Sequence, residues 1–512
     1  MASRSPPGSP TFAPTPGLLT PDLINACSTF FFAHMYHTTP IVERDQLQAM
    51  VRSMGQSAEA YCLVAALCAF MLIQPGIPAS AMTGSPEMSS SMTNPKMGNA
   101  LMEEAVRVRR TEDYVENPTV NTIRTSFFLF GCCFGLNKHN AGWFHLREAT
   151  ALAQLLGMQD ESAYLYGDAL ENSRKRRLFW LLFVTERAYA LQKHRPLTLH
   201  ATIGLPTVDQ HVSASITGFI HLVNLYRPFD DMFIGLWNKS RSDCTTYFLA
   251  HLQQELSNAL PNRLDTTESQ AADLRTSQQW LRTMVWQLSI MNGYLSSASS
   301  EACMTFRYPI EIAKDLVAVT SRLSKQAMEV HGIGLVGFPH PGHSIVSRLI
   351  IFWQVEKVFD VACTLIDVMA CVPDRASYGP APQQYLNQML LLISTLRGGE
   401  ARFLPLIVAK IRDELPAMAS QLPASLVGQV ASAPVIQGSA YGPLGGINGR
   451  TGVIGWNGVS GAVADGMNAM VGREAYIKQE QTSSSESTRA SSFSDGGTPF
   501  SSPPFMHYYP LS

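Results

Sequence analysis

Adjacent carboxylates at Asp230 and Asp231, in RPFDDMFIG, are a pair that could hold magnesium, because a hard cation takes oxygen ligands. The magnesium site of isoprenoid chemistry needs a third acid at the fifth position, where Ile234 stands, and a second acidic triad that the chain does not offer. We therefore read the pair as a helix end or turn. His331, His340 and His343 fall together in HGIGLVGFPHPGH, but no cysteine or acid completes a ligand set there, so the expectation is a surface loop. Nine cysteines, at 27, 62, 68, 132, 133, 244, 303, 363 and 371, form no C-x-x-C pair. That spacing argues against a zinc ribbon, a thioredoxin motif or a disulfide framework, and most of the thiols sit inside apolar runs where Cys behaves as a small hydrophobe. There is no G-x-S-x-G and no P-loop. The expectation is a protein that is not an enzyme, with no catalytic residue, no cofactor and no metal.

A different chemistry is written in SRKRRLFWLLFVTER, Ser173 to Arg187, where four basic side chains abut a run of seven apolar ones. It could be a nuclear-import signal, a grip on phosphates, or a structural element. Four charges would neutralise few phosphates, and no reading helix accompanies them. Acidic and polar DALENS precedes the run and no breaker follows until Gln192, which places the basic residues in the first turns of a long helix with Glu171 in reach of Lys175 at i, i+4. Cations there oppose the helix dipole and need partners. LFWLLFV is apolar all round, as in a helix enclosed by neighbours. Glu186 and Arg187 are then expected to be at least partly buried and, if so, paired, since an unpaired buried charge costs on the order of several kcal/mol. The structural reading is the one we adopt.

The elements that would position such a helix follow from composition. Charged residues make up 15% of 512 and apolar ones 46%, so a large core is expected. The formal net charge of −2 provides no field for nucleic acid, and direct sequence-specific DNA binding by this chain alone is not expected. The longest uncharged apolar run, Ala60 to Ile73, is shorter than the roughly 20 residues that cross a bilayer, and MASRSPPGSP lacks a signal-peptide core. A soluble, intracellular protein without membrane contact is expected.

Residues 1–20, rich in Pro, Ser and Thr, read as a disordered leader. Thr20-Pro21-Asp22 then reads as an N-cap, a proline at the first helical position and an acid in the first turn. Helical segments follow at about 21–37, 43–54, 57–73, 97–114, 119–136, 140–157, 168–193, 244–258, 270–297, 310–330, 344–372 and 385–415, separated by breakers such as QPGIPAS and FPHPGH. No period-two run is long enough for a sheet, so the fold class is all-α: a large multi-helix domain over 21–420. Residues 421–512, rich in Gly and then Ser, read as a disordered tail.

With Arg176, Arg177, Phe179 and Trp180 followed by Glu186 and Arg187, then by HRPLTL and an LP-x-V-D segment, the chain resembles the fungal-specific transcription factor domain, the middle region of zinc binuclear-cluster regulators. HMYHTTPIV at 34–42, TIRTSFFLFG and GWFHLREATALAQLLGMQD resemble its other early pieces, with His37 where proline is usual. AMEVHGIG and VFDVACTLIDVMACVP look closest to the maltose and amylolytic activator branch, and the likeness covers about residues 20–415. The resemblance implies a nuclear transcriptional regulator of a metabolic gene set, such as sugar utilisation or a biosynthetic cluster. It implies partners in the transcription machinery or a DNA-binding protein, and a small-molecule effector in an internal pocket. Those six residues would form the structural core motif. The family's paired C-x2-C-x6-C zinc array is not in the sequence, which fits a shortened factor, a gene model missing its first exon, or a regulator acting through partners. A helical scaffold or co-regulator without DNA binding and an all-α enzyme are the alternatives.

The tails carry modification chemistry of their own. Ile477-Lys478-Gln479-Glu480 has the apolar-Lys-x-acid form of a SUMO acceptor, and Ser5, Ser9, Thr15, Thr20, Thr498 and Ser502 each precede proline, as proline-directed kinases require.

Overall fold

The computed structural model describes residues 12–73, 94–206, 213–329, 353–371, 380–396 and 403–422, and among them there are helices and connections but no strand. α1 (Pro21–Phe30) opens as its sequence requires: Thr20 is extended and its hydroxyl accepts the Leu23 N–H at 3.3 Å, with proline in the first turn. It passes into a π-helical turn, Phe31–Met35. α2 (Arg44–Ser53) starts with a capping box between Glu43 and Gln46.

α3 (Ala58–Ile73) is buried along its whole length, which explains its lack of a polar face. α1, α2, α4 (Asn94–Arg109) and α5 (Val120–Gly135) enclose it. Close approach is possible because Gly98 on α4 and Gly131 on α5 face it: a Cβ on Gly98 would lie 3.0 Å from the Ala69 carbonyl, and one on Gly131 would lie 2.5 Å from the Phe70 ring. α6 (His139–Leu155) packs on α5, and α7 (Ala169–Lys193) closes the first core.

α8 (Ser213–Tyr226), α9 (Asp231–Trp237) and α10 (Thr246–Asn258) lead to α11 (Glu268–Met291). α11 is the shared wall of two apolar cores. Trp280, Leu281, Val285 and Leu288 face the first, while Ala272, Trp286 and Ile290 face the second. The second core is completed by α12 (Tyr308–Thr320), α13 (Lys325–Glu329), α14 (Trp353–Cys371), α15 (Ala381–Thr395), α16 (Leu404–Glu414) and α17 (Pro416–Ala419). Buried polar ties fix α14 on α11: Lys357 to Asp273 and Ser277, Trp280 to Asp360, and Gln287 to Thr364.

Three sequence expectations need correction. The helix read as 385–415 is two helices, with Leu396 extended between them and Gly398-Gly399 in the intervening sequence, and that read as 310–330 is likewise two, α12 and α13. α8 and α9 were not foreseen, because Gly218 interrupts a short apolar run; in the fold that glycine leaves room for Gln270, whose Nε2 would sit 2.6 Å from an added Cβ. The leader read as disordered over 1–20 is structured from Phe12: Phe12, Leu18 and Leu19 pack against the first core.

Candidate functional site

α7 is held at its start by Asp168, whose carboxylate accepts the Leu170 and Glu171 N–H groups at 3.3 Å, and ends at His194 in the left-handed region. The basic residues of its first turns oppose the dipole, and acids drawn from distant segments answer them. Arg174 meets Glu171 at 2.5 Å and Asp45 at 3.1 Å. Glu171 thus engages its i+3 neighbour rather than Lys175, and it also accepts from Gln46 at 2.9 Å. Arg176 donates to both oxygens of Glu161, at 2.6 and 2.9 Å, and to the Gly204 carbonyl at 3.0 Å, while lying over the Tyr164 ring. Arg177 donates to Glu43 at 2.8 Å and to the Tyr36 hydroxyl at 3.3 Å.

Beneath this charged rim, Phe179 and Trp180 are fully buried with their rings edge to face at 5.8 Å, and the indole N–H donates to the same Gly204 carbonyl at 2.9 Å. Two turns on, Glu186 is fully buried and its carboxylate takes the Thr198 N–H at 2.9 Å, the Thr198 hydroxyl at 2.5 Å, the Leu199 N–H at 3.0 Å and Arg147 at 3.2 Å. Arg187 departs from the expected pairing with an acid. Its guanidinium donates to the Phe183 and Leu199 carbonyls and lies over the Phe183 ring, and burial lowers its pKa to about 10.

The contacts of this arrangement are ties between chain segments. Hydrogen bonds from Arg176 and the Gly204 N–H keep Glu161 ionised down to about 2. Burial and the Glu43 carboxylate push the Tyr36 phenol up to about 12. What the network does is tie the Tyr36 to Asp45 segment, the Glu161 turn and the 198–204 strap to one helix.

A shallow depression of about 380 Å³ opens on its Arg177 end, lined by Phe32, Tyr36, Glu43, Arg44 and Asp45. A second hollow of about 520 Å³, between α1 and α2, shares Phe32 and Arg44 with it.

Elsewhere, Asp230 is the N-cap of α9, accepting the Phe233 N–H at 3.0 Å, and Asp231 lies 3.1 Å from His200, so the pair serves a helix end as read. Among the described residues no three His, Cys, Asp or Glu side chains gather so that they could hold a metal ion. The thiols do not fit the family's paired zinc cluster either: those of Cys27, Cys62, Cys68, Cys132, Cys133, Cys244 and Cys363 are buried and spread along the chain from α1 to α14. No helix among the described residues is long and apolar enough to cross a membrane. His331, His340, His343, Lys478, Ser5, Ser9, Thr498 and Ser502 lie outside the described residues.

Sequence reasoning missed Glu43, Asp45, Glu161, Arg147 and Gly204. Their signal was indirect: HMYHTTPIV supplies Tyr36 and HRPLTL supplies Thr198 and Leu199, so segments quoted apart in the sequence meet on α7.

Residues 29–298 match the fungal specific transcription factor domain, a span that closely follows the first core and ends just past the shared α11. The chain is similar to the probable sucrose utilization protein SUC1 of Candida albicans, at 27% identity over 57% of this chain and 54% of that protein. It is also similar to the maltose fermentation regulatory protein MAL13 of Saccharomyces cerevisiae, at 23% identity over 61% of this chain and 64% of that protein. The respiratory transcription factor ZNF1 of the same yeast is 23% identical over 68% and 69%. The chain thus spans between half and two thirds of the length of the first two relatives.

Proposed function

The chain belongs to the fungal specific transcription factor domain family, and on that premise we propose that it is a transcriptional regulator of a metabolic gene set, acting in the nucleus on sugar utilisation. The observation that carries this reading is the family match over the α7-centred core, with relatives whose names speak of sucrose utilization and maltose fermentation regulation. The helical unit over 21–420 is the regulatory part. Its net charge of −2 supports a chain that regulates while a DNA-binding partner reads the bases. The depression over Tyr36, Glu43 and Arg44 is our candidate seat for a small-molecule effector, because a ligand there would bear on the Arg177 end of the network. The side chains of α7 serve as ties and not as catalysts, in keeping with a protein that is not an enzyme.

Fusion of the full chain to a foreign DNA-binding domain provides the test, with a reporter read in fungal cells grown on sucrose, maltose or glucose. We expect reporter output to depend on the carbon source. Output equal to that of the DNA-binding domain alone in every medium would overturn the reading in favour of a helical scaffold.

A further inference from the structure

Glu104, on α4, is buried, yet its carboxylate is met by a segment far away in sequence. The Thr15 N–H donates to Oε1 at 2.8 Å and the Thr15 hydroxyl to Oε2 at 3.0 Å. Tyr61 donates at 3.3 Å, and Arg107 closes the group from Nε and Nη2, both at 2.8 Å, while also reaching the Ala13 carbonyl at 2.7 Å. Arg107 and the Thr15 donors hold the carboxylate at about 2, so it is an anion throughout the physiological range. The leader is therefore a strap: Thr15 pins it to α4, and Phe12 covers the buried Tyr61 edge to face at 6.0 Å. Thr15 itself is exposed and is followed by Pro16.

We propose that Thr15 is a phosphorylation site for a proline-directed protein kinase, and that its phosphate releases the strap from Glu104. The kinase transfers the γ-phosphoryl group of ATP: the Thr15 Oγ1–P bond forms, the bond to the ADP leaving oxygen breaks, and the hydroxyl proton departs. The modified oxygen can no longer donate to Glu104. In place of that donor stands a group of about −1.5 to −2 charges on the oxygen that lies 3.0 Å from the Glu104 carboxylate, whereas Arg107 is already engaged with that carboxylate and meets the segment at the Ala13 carbonyl, so the phosphate faces the like charge at closest range. Local opening of the strap gives the kinase access to an extended Thr-Pro segment, and the phosphate then disfavours reclosure. Thr20, a second Thr-Pro site among the described residues, has the opposite surroundings, while Thr39, which precedes Pro40, is buried. The Thr20 hydroxyl is an acceptor at the N-terminus of α1, where added negative charge is tolerated. The inference does not depend on the transcriptional reading, and its readouts involve no reporter.

The full chain is treated with ATP and a purified proline-directed kinase, the phosphate is located by mass spectrometry, and backbone hydrogen exchange is followed over residues 12–20 and around Tyr61. We expect phosphate on Thr15 and exchange at the Thr15 amide faster by roughly tenfold or more. Thr15→Glu should reproduce the opening, Thr15→Ala should abolish the kinase effect, and Thr20→Glu should leave the strap closed. No phosphate on Thr15 while a peptide of the same sequence is modified would overturn the proposal. So would phosphate on Thr15 with unchanged exchange, or an equal opening by Thr20→Glu.

Discussion

Arg177 and Glu43, 134 residues apart in sequence, share a 2.8 Å ion pair that fixes the start of α2 to the first turns of α7. Both are largely shielded from water, the Arg177 side chain 6% exposed and that of Glu43 21%. Removing one partner strands the other, and we expect Arg177→Met to cost about 3 kcal/mol. Replacing both, Arg177→Met with Glu43→Leu, should recover most of that loss. Urea unfolding of the four proteins of the double-mutant cycle checks it; additive losses would mean that the two residues do not act as a pair.

Trp180 is enclosed, packed against Phe179 and Phe183 and bonded to the Gly204 carbonyl. We expect Trp180→Ala to lose ~3–5 kcal/mol, enough to remove the protein from the soluble fraction. Normal solubility and an unchanged melting temperature would show that the ring is not part of the core.

Glu148 gives the fold an acid limit. Burial raises its pKa, but bonds from His145, Arg109, Tyr114 and Ser126 outweigh that and hold it at about 2 against an ordinary 4.5. A depressed carboxylate stabilises the fold fully above its unfolded value, and that contribution drains away as pH falls from about 4.5 towards 2. It amounts to at most ~3 kcal/mol. The stability gap between wild type and Glu148→Gln should therefore be wide at pH 7 and close across that window. A gap that stays constant with pH would rule out this carboxylate as the source.

Much of this was legible. Thr20-Pro21 announces the cap of α1, and the uninterrupted run from Asp168 to Lys193 announces α7, because capping and periodicity are local properties. The burial of Trp180 and Glu186 followed from an apolar run with no polar face. The partners were not legible. Which acid reaches Arg176 or Arg177 depends on how chain segments fold back, and Glu161 and Glu43 have no local feature that marks them. The same holds for residues 12–20, whose composition suggests no structure while a single non-local carboxylate, Glu104, captures Thr15.

In the tail, Lys478 lies in an apolar-Lys-x-acid context, and we expect SUMO conjugation there. Comparing wild type with Lys478→Arg in host cells should show a conjugate-sized band that the variant lacks. Identical banding in the two would leave Lys478 an ordinary lysine.

The regulatory role is tested most directly by deleting the gene and comparing transcripts with the wild type on sucrose, on maltose and on glucose. We expect a coherent set of carbohydrate-utilisation genes to lose induction on one of the two disaccharides, with restoration by the wild-type chain and not by Trp180→Ala. Transcripts that match the wild type in all three media would contradict a role in carbon-source regulation.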